Sequence, residues 1–207
     1  MKSVLETELW DSYPLICGID EAGRGPLCGP VVVAGVIFDP GYENPLIDDS
    51  KKLSEKKREK LIHQIKKDAR KWMILVVDEK TIDEYNIYHA TRLAMERIAE
   101  KLAADLTLTD AMPLKNGVRH AALIKGDARA LSIAAASILA KTTRDHYMYE
   151  LDRQYPQYGL AKHKGYPTKA HLQAIEEYGV QPFYRRSFGP VQKILTRENE
   201  LKLFELD

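Results

Sequence analysis

The chain has 207 residues, 44% of them hydrophobic, with 31 basic against 30 acidic side chains. Its length fits one domain with a modest appendage, and its ordinary apolar fraction excludes a disordered chain. A formal charge of +1 excludes a wholly basic nucleic-acid binder, so local charge has to identify any such surface.

Residues 1–13 carry Glu6, Glu8 and Asp11 and no apolar core region, which argues against a secretory signal. No apolar run approaches the length of a membrane span, so a cytoplasmic protein is expected. Leu15, Cys17 and Ile19 alternate with Ile16, Gly18 and Asp20, predicting a strand that carries Asp20 to its end. Glu21 follows at once, and Gly23, Arg24, Gly25 and Pro26 make a turn. Residues 31–38 are almost continuously apolar and predict a second strand, buried on both faces and antiparallel to the first. Cys17 and Cys28 flank the acid pair. Two thiols build neither a disulfide framework nor a zinc quartet, and both read as small buried apolar residues.

A polar loop leads to Asp49-Ser50-Lys51-Lys52-Leu53. Ser54 and Glu55 open a helix with Leu61, Ile62, Ile65 and Ala69 as its apolar stripe. Its other face is a lysine run, which is either a solvated helix face or a phosphate contact. Residues 72–77 predict a strand by their apolar content, and a helix is predicted from Asp83 through Leu102. Leu106, Leu108 and Asp110 alternate with Thr107 and Thr109, so another strand ends on an aspartate. A further strand, residues 121–124, runs into Lys125-Gly126-Asp127. Functional residues of sheets with parallel neighbours gather at one edge of strand ends, and clustering of these carboxylates is expected there.

The longest predicted helix runs from Arg129 to about Arg153, with Ala134, Ala135, Ala136 and Ala140 allowing close approach to a sheet. Ser137, Lys141, Arg144 and Asp145 share one of its faces. Beyond it, Tyr155, Tyr158 and Tyr166 are interleaved with Lys162, Lys164, Arg185 and Arg186, a pairing suited to a nucleic-acid backbone with sugars or bases on aromatic rings. A short helix spans Thr168 to Tyr178 and closes at Gly179. Strands alternating with helices after an opening hairpin predict an α/β domain with a mixed sheet and a small helical C-terminal region.

Should Asp20, Glu21, Asp110 and Asp127 converge, they repel one another unless cations sit between them, and two divalent ions about 4 Å apart fit such a cluster. Two-metal hydrolysis of a phosphodiester is then the natural reaction. Gly23-x-Gly25-x-x-x-Gly29 does not read as a dinucleotide turn, because Pro30 and a β-branched run follow where a helix is required. The chain carries no P-loop and no His-Glu-x-x-His pair.

Several ordered motifs resemble bacterial ribonuclease HII. They are Gly18-Ile-Asp-Glu-Ala-Gly-Arg-Gly-Pro26, Asp49-Ser-Lys-Lys-Leu-Ser54, Asn86-Ile87 with Ala90-Thr91, Lys125-Gly-Asp127, Ala134-Ala-Ala-Ser-Ile-Leu-Ala-Lys141, Arg144-Asp145 and His163-Lys-Gly-Tyr166. The resemblance runs from Leu15 to about Val191. It implies a ribonuclease H-like fold, a mixed five-stranded sheet flanked by helices, and an endonuclease that cuts RNA in RNA/DNA hybrids and at single ribonucleotides in duplex DNA. Mg²⁺ or Mn²⁺ is the implied cofactor, with two ions in the active complex. By motif, Asp20, Glu21, Asp110 and Asp127 would be the carboxylate set. Gly23, Arg24 and Gly25 would read the 2′-hydroxyl, the group that tells RNA from DNA, and Tyr166 would stack on the adjoining deoxyribose. Ser50, Lys51, Ser137 and Lys141 are the implied phosphate contacts.

Whether Asp127 or Asp145 completes the acid cluster stays open, with Asp127 preferred and Asp145 read as orienting Lys141. The family commonly has Gly after its third carboxylate, where this chain has Ala111. The extra N-terminal domain of the ribonuclease HIII type is not expected before a strand that starts near Leu15. The implied layout is an N-terminal extension over 1–13, a catalytic domain over 14–155 and a helical substrate-binding region over 156–207, acting as a monomer. The alternative is a non-catalytic hybrid-binding module that kept the same fold.

Overall fold

The computed structural model describes residues 4–204, and side chains from residues 5–197; residues 1–3 of the predicted extension and 205–207 of the C-terminal region lie outside the described residues. A five-stranded sheet with order β3-β2-β1-β4-β5 forms its centre. Its strands are β1 (Ile16–Ala22), β2 (Val31–Ile37), β3 (Lys71–Val77), β4 (Leu106–Asp110) and β5 (His120–Leu123). The hairpin β1–β2 is antiparallel with Cys17 opposite Ile37, and β2 is wholly buried, as its unbroken apolar run predicts. In contrast β1, β4 and β5 run parallel, with Ile19 beside Thr109 and Asp110 beside Leu123. Their C-terminal ends therefore open on one edge, which is where a sheet of this kind collects functional side chains.

Two helical layers cover the sheet. On one face α4 (Leu131–Gln154) lays Ala134, Ala135 and Ile138 against Val32, Ala34 and Val36, with α2 (Glu55–Asp68) beside it through Leu61, Ile62 and Ile65. On the other, α3 (Glu79–Leu102) packs Met95, Ile98 and Leu102 over Cys17, Ile19, Val33 and Ile37. Both cysteines are buried and free. The edge strand β3 exposes Trp72 (41%) and Val76 (52%), because the sheet ends there.

Helix α3 begins earlier than Asp83. Asp78 caps it by accepting from the Thr81 N–H at 2.8 Å, and the helix then breaks at Asn86, whose φ is 58°. Asn86 Oδ1 accepts from the N–H groups of Tyr88 and His89 and starts the second piece. One residue thus ends one helix and caps the next, which the apolar spacing does not encode. Ser54 occupies the N-cap of α2 without a side-chain cap bond.

The segment before β1 contains α1 (Val4–Leu9), and its Glu6 is 2% exposed. Its carboxylate accepts from the N–H groups of Leu131 and Ser132 at 2.6 and 2.9 Å. Helix α4, whose own N-cap Ala130 has no side chain able to cap, is thereby capped by the chain's N-terminal segment.

Past α4, α5 (Leu160–His163), α6 (Lys169–Tyr178) and α7 (Gly189–Phe204) surround a second core of Leu27, Cys28, Met148, Leu151, Tyr158, Ile175, Phe183 and Tyr184. Thr168 and Gly179 bound α6 as predicted. The predicted nucleic-acid role of the interleaved tyrosines is corrected for Tyr158, which is buried and donates its hydroxyl to the carbonyls of Tyr178 and Gly179. Short helices offer few large aliphatic residues, so tyrosine rings supply the core volume with their hydroxyls satisfied. Among the described residues no helix is long and apolar enough to cross a membrane.

Candidate active site

At the open edge of the sheet lies a cleft of about 380 Å³ lined by Asp20, Glu21, the Gly23–Gly25 loop, Ser50, Lys51, Asp110, Ser137, Lys141, Arg144 and Tyr166. Asp20 and Glu21 end β1 and Asp110 ends β4, so the parallel pairing of those strands sets the acids side by side. Asp20 is 5% exposed. Burial, then the charge of Glu21, then that of Asp110 push its carboxyl well above the ordinary range, against hydrogen bonds from the Ser137 hydroxyl and the Glu21 N–H. Burial likewise raises Glu21, with the charge and hydrogen bond of Arg24 opposing it. Arg24 Nη1 sits 3.4 Å from Glu21 Oε1, while Glu21 Oε2 is buried with no hydrogen-bond partner. Asp110 Oδ1 accepts from the Gly126 N–H at 2.8 Å, which ties the β4 end to the 3₁₀ turn Gly126–Ala128.

Asp127, in that turn, is buried and does not line the cleft; burial and the charges of Asp110 and Asp49 raise its pKa. Asp145 lies outside the lining too, with Oδ1 2.5 Å from Lys141 Nζ and Oδ2 3.2 Å from Arg58 Nη2. Among the described residues no three Asp, Glu, His or Cys side chains form a gathered ligand set. The donor chemistry nevertheless fits a hard divalent cation: all-oxygen, anionic, mutually repelling, and including one buried oxygen that nothing satisfies.

The phosphate-contact candidates lie around these acids. Ser50 Oγ and Ser137 Oγ are 2.9 Å apart, so the loop before α2 is tied to the helix whose Ser137 bonds Asp20. The Lys51 charge acts on both Glu21 and Asp127. Tyr166 is 48% exposed, and a Cβ on Gly25 would stand 3.2 Å from its ring. Gly23 has φ 97°, and a Cβ there would meet Arg144 Nε at 1.9 Å, so only glycine fits.

Three arginines escape the sequence reading. Arg58 donates to the carbonyls of Leu53 and Ser50 as well as to Asp145, holding the Ser50–Lys51 loop from behind. Arg144, grouped in sequence with Ser137 and Lys141 on a polar face, is buried and bonds the carbonyls of Cys28, Pro30 and Lys164. Arg185, grouped in sequence with the cations suited to a nucleic-acid backbone, is buried as well. Nothing in the sequence separates Arg185 from its exposed neighbour Arg186; the difference is which one faces the carbonyls of a distant loop.

A mixed sheet flanked by helices, with carboxylates at the ends of its central parallel strands, defines a ribonuclease H-like nuclease. Ribonuclease H2 of Pyrococcus horikoshii OT3 superposes with a TM-score of 0.75 at 29% identity, over 88% of this chain and 98% of that one. Bst ribonuclease HIII, solved with Mn²⁺, shares the fold with a TM-score of 0.67 at 19% identity, over 95% of this chain and 73% of that one. Ribonuclease HII of Myxococcus xanthus (strain DK1622) is 53% identical over 195 residues, 92% of this chain and 67% of that protein. Residues 17–191 match the family Ribonuclease HII, and the chain belongs to that family. It is therefore a nuclease, a hydrolase of the ribonuclease H kind, and enzymes of this kind depend on divalent cations.

Proposed function

We propose that this chain nicks duplex DNA 5′ to an embedded ribonucleotide, as well as hydrolysing the RNA strand of RNA/DNA hybrids, with two divalent ions, Mn²⁺ or Mg²⁺. The observation that carries the proposal is that one cleft is lined both by strand-end acids and by the Gly23–Gly25 loop with Tyr166. Cleavage and recognition of a ribonucleotide would then act on adjacent nucleotides.

Asp20, Glu21 and Asp110 would hold the ions, with Asp127 completing the set from beside Asp110. When bound, the ions would supply charge neutralisation and Lewis-acid activation for in-line hydrolysis. The Ser50–Ser137 pair keeps Asp20 oriented, and Lys51 and Lys141 offer cations to the nucleic-acid phosphates. Backbone N–H groups of the Gly23–Gly25 loop would meet the 2′-hydroxyl, and the half-exposed ring of Tyr166 would rest on the next deoxyribose.

The test is a DNA duplex bearing one ribonucleotide, incubated with Mg²⁺ or with Mn²⁺. A nick on the 5′ side of the ribonucleotide is expected with the wild-type chain and not with Asp20→Asn. An intact strand under both metals, from a preparation that cleaves continuous hybrid, would overturn the embedded-ribonucleotide reading.

A further inference from the structure

The Gly23–Gly25 loop has an inner, carbonyl side and an outer, amide side, and the two are treated differently. On the inner side Arg185, 0% exposed, donates through Nη2 to Gly23 O at 2.7 Å and through Nη1 to Arg24 O at 3.0 Å and Pro26 O at 2.8 Å. Its Nε donates to Gly29 O at 2.9 Å. On the outer side, among the described residues, the N–H groups of Arg24 and Gly25 donate to no protein acceptor. With the Gly23 and Arg24 carbonyls drawn inward, the amides of the same trans peptide units, those of Arg24 and Gly25, are left for whatever enters the cleft.

The guanidinium is an expensive way to fill that interior. Among the described residues neither Arg185 nor its neighbour Arg144 forms an ion pair, so two cations are held by backbone carbonyls. Unpaired buried charge is costly, and an apolar side chain would fill the space more cheaply. What an apolar side chain or a lysine lacks is a planar fork of five donors, which is what several carbonyls on separate residues require. Burial and then the Arg144 charge lower Arg185 to about 10, which still leaves it cationic at neutral pH.

Arg185 is delivered from the far end of the chain. It follows α6, its own N–H bonds Leu27 O at 2.9 Å, and the adjacent Tyr184 bridges Cys28. It does not line the cleft.

We infer that Arg185 is the positioning residue of the 2′-hydroxyl reader: its buried fork gathers the carbonyls of Gly23, Arg24 and Pro26 so that the Arg24 and Gly25 amides are presented to the ribonucleotide. The inference rests on the reading of that loop given above. It makes Arg185 a determinant of where the enzyme cuts that acts through the loop, beside Tyr166 of the same C-terminal region, which touches the substrate itself.

The test compares full-length wild type, Arg185→Lys and Arg185→Ala on a DNA duplex with one ribonucleotide, on a continuous RNA/DNA hybrid, and in binding to an all-DNA duplex. Arg185→Lys, folded by circular dichroism, is expected to lose about 100-fold in kcat at the single ribonucleotide, since small misplacements of a recognising group cost that much. Its affinity for all-DNA duplex should stay at the wild-type level, because the phosphate contacts are untouched. Millimolar guanidinium should restore part of the kcat of Arg185→Ala. A folded Arg185→Lys with wild-type kcat and wild-type preference between the two substrates overturns the inference while leaving the activity standing. Wild type that cleaves hybrid but not the embedded ribonucleotide overturns the reading of the loop and the inference with it. If neither variant folds, nuclear magnetic resonance of Asp20→Asn decides. The Arg24 and Gly25 amide signals should then move on adding the ribonucleotide duplex and stay still with all-DNA, and the Arg185 Nε–H should be protected from exchange. Unmoved amides or an unprotected Nε–H overturn the inference.

Discussion

At Asp20 three effects act in one direction, burial, the Glu21 charge and the Asp110 charge, and the Ser137 and Glu21 hydrogen bonds offset only part of them. A carboxylate held this way destabilises the cation-free protein. Asp20→Asn should therefore melt at the same temperature as wild type or higher, while cleavage falls by roughly 10³-fold, the scale of losing a central electrostatic group. Added Mn²⁺ should raise the melting temperature of wild type more than that of Asp20→Asn, because only a native state with an intact ligand set gains from binding. Ala111 presents a different case. Its φ is 54°, in the left-handed region that costs an L-residue roughly 1–2 kcal/mol and glycine almost nothing. Ala111→Gly relieves that strain but frees the unfolded chain, so a net gain of about 0.5–1 kcal/mol is expected in urea unfolding, without loss of cleavage. The departure at Ala111 was visible in the sequence; that it sits in a strained turn, donating to Leu123 O at 2.9 Å, was not.

Among the elements, α4 matters most because it carries Ser137, Lys141, Arg144 and Asp145, and its start is fixed by a residue about 125 positions earlier. Glu6→Ala leaves two buried N–H groups unpaired. A loss of about 1–3 kcal/mol is expected, seen as a lower urea midpoint with cleavage per folded molecule unchanged. The predicted boundaries of α6 held because Thr168 and Gly179 are local signals, a capping hydroxyl and a φ of 77°. For α3 the end at Leu102 agrees as well, but the start lies at Glu79 behind the Asp78 cap, and the break at Asn86 depends on a positive-φ backbone that apolar spacing does not encode. Period-based reading finds the buried faces of β1 and β2 for the same reason that it misses Glu6: alternation is written in neighbouring residues, while a tertiary cap is not.

For the whole molecule, the C-terminal core binds the Gly23–Gly25 loop and Tyr166 into one body, and His171 lies within it. Its Nδ1 faces the Tyr166 carbonyl and its Nε2 the Tyr184 hydroxyl, both at 2.9 Å, and its ring stacks on His163 at 4.2 Å. Burial lowers its pKa from 6.5 to about 4. Between those values the unfolded chain binds a proton that the folded chain does not, so stability falls as pH falls through that window and is fully present above it. The size is on the order of 3 kcal/mol. Urea unfolding at pH 5 and pH 7 should show the loss, and His171→Gln should flatten it. The sequence by itself determined the strands and their opening hairpin, the acids at strand ends and the family, because strand alternation, turn glycines and contiguous motifs are local in the chain. Only the tertiary structure decided that Asp110 stands beside Asp20, that Asp145 is locked between Lys141 and Arg58, and that Arg185 rather than Arg186 lies under the Gly23–Gly25 loop. The first depends on which strands pair, and the other two on which backbone carbonyls and charges the fold brings within about 3 Å of a side chain, a distance that hydrogen bonding requires and sequence spacing does not contain.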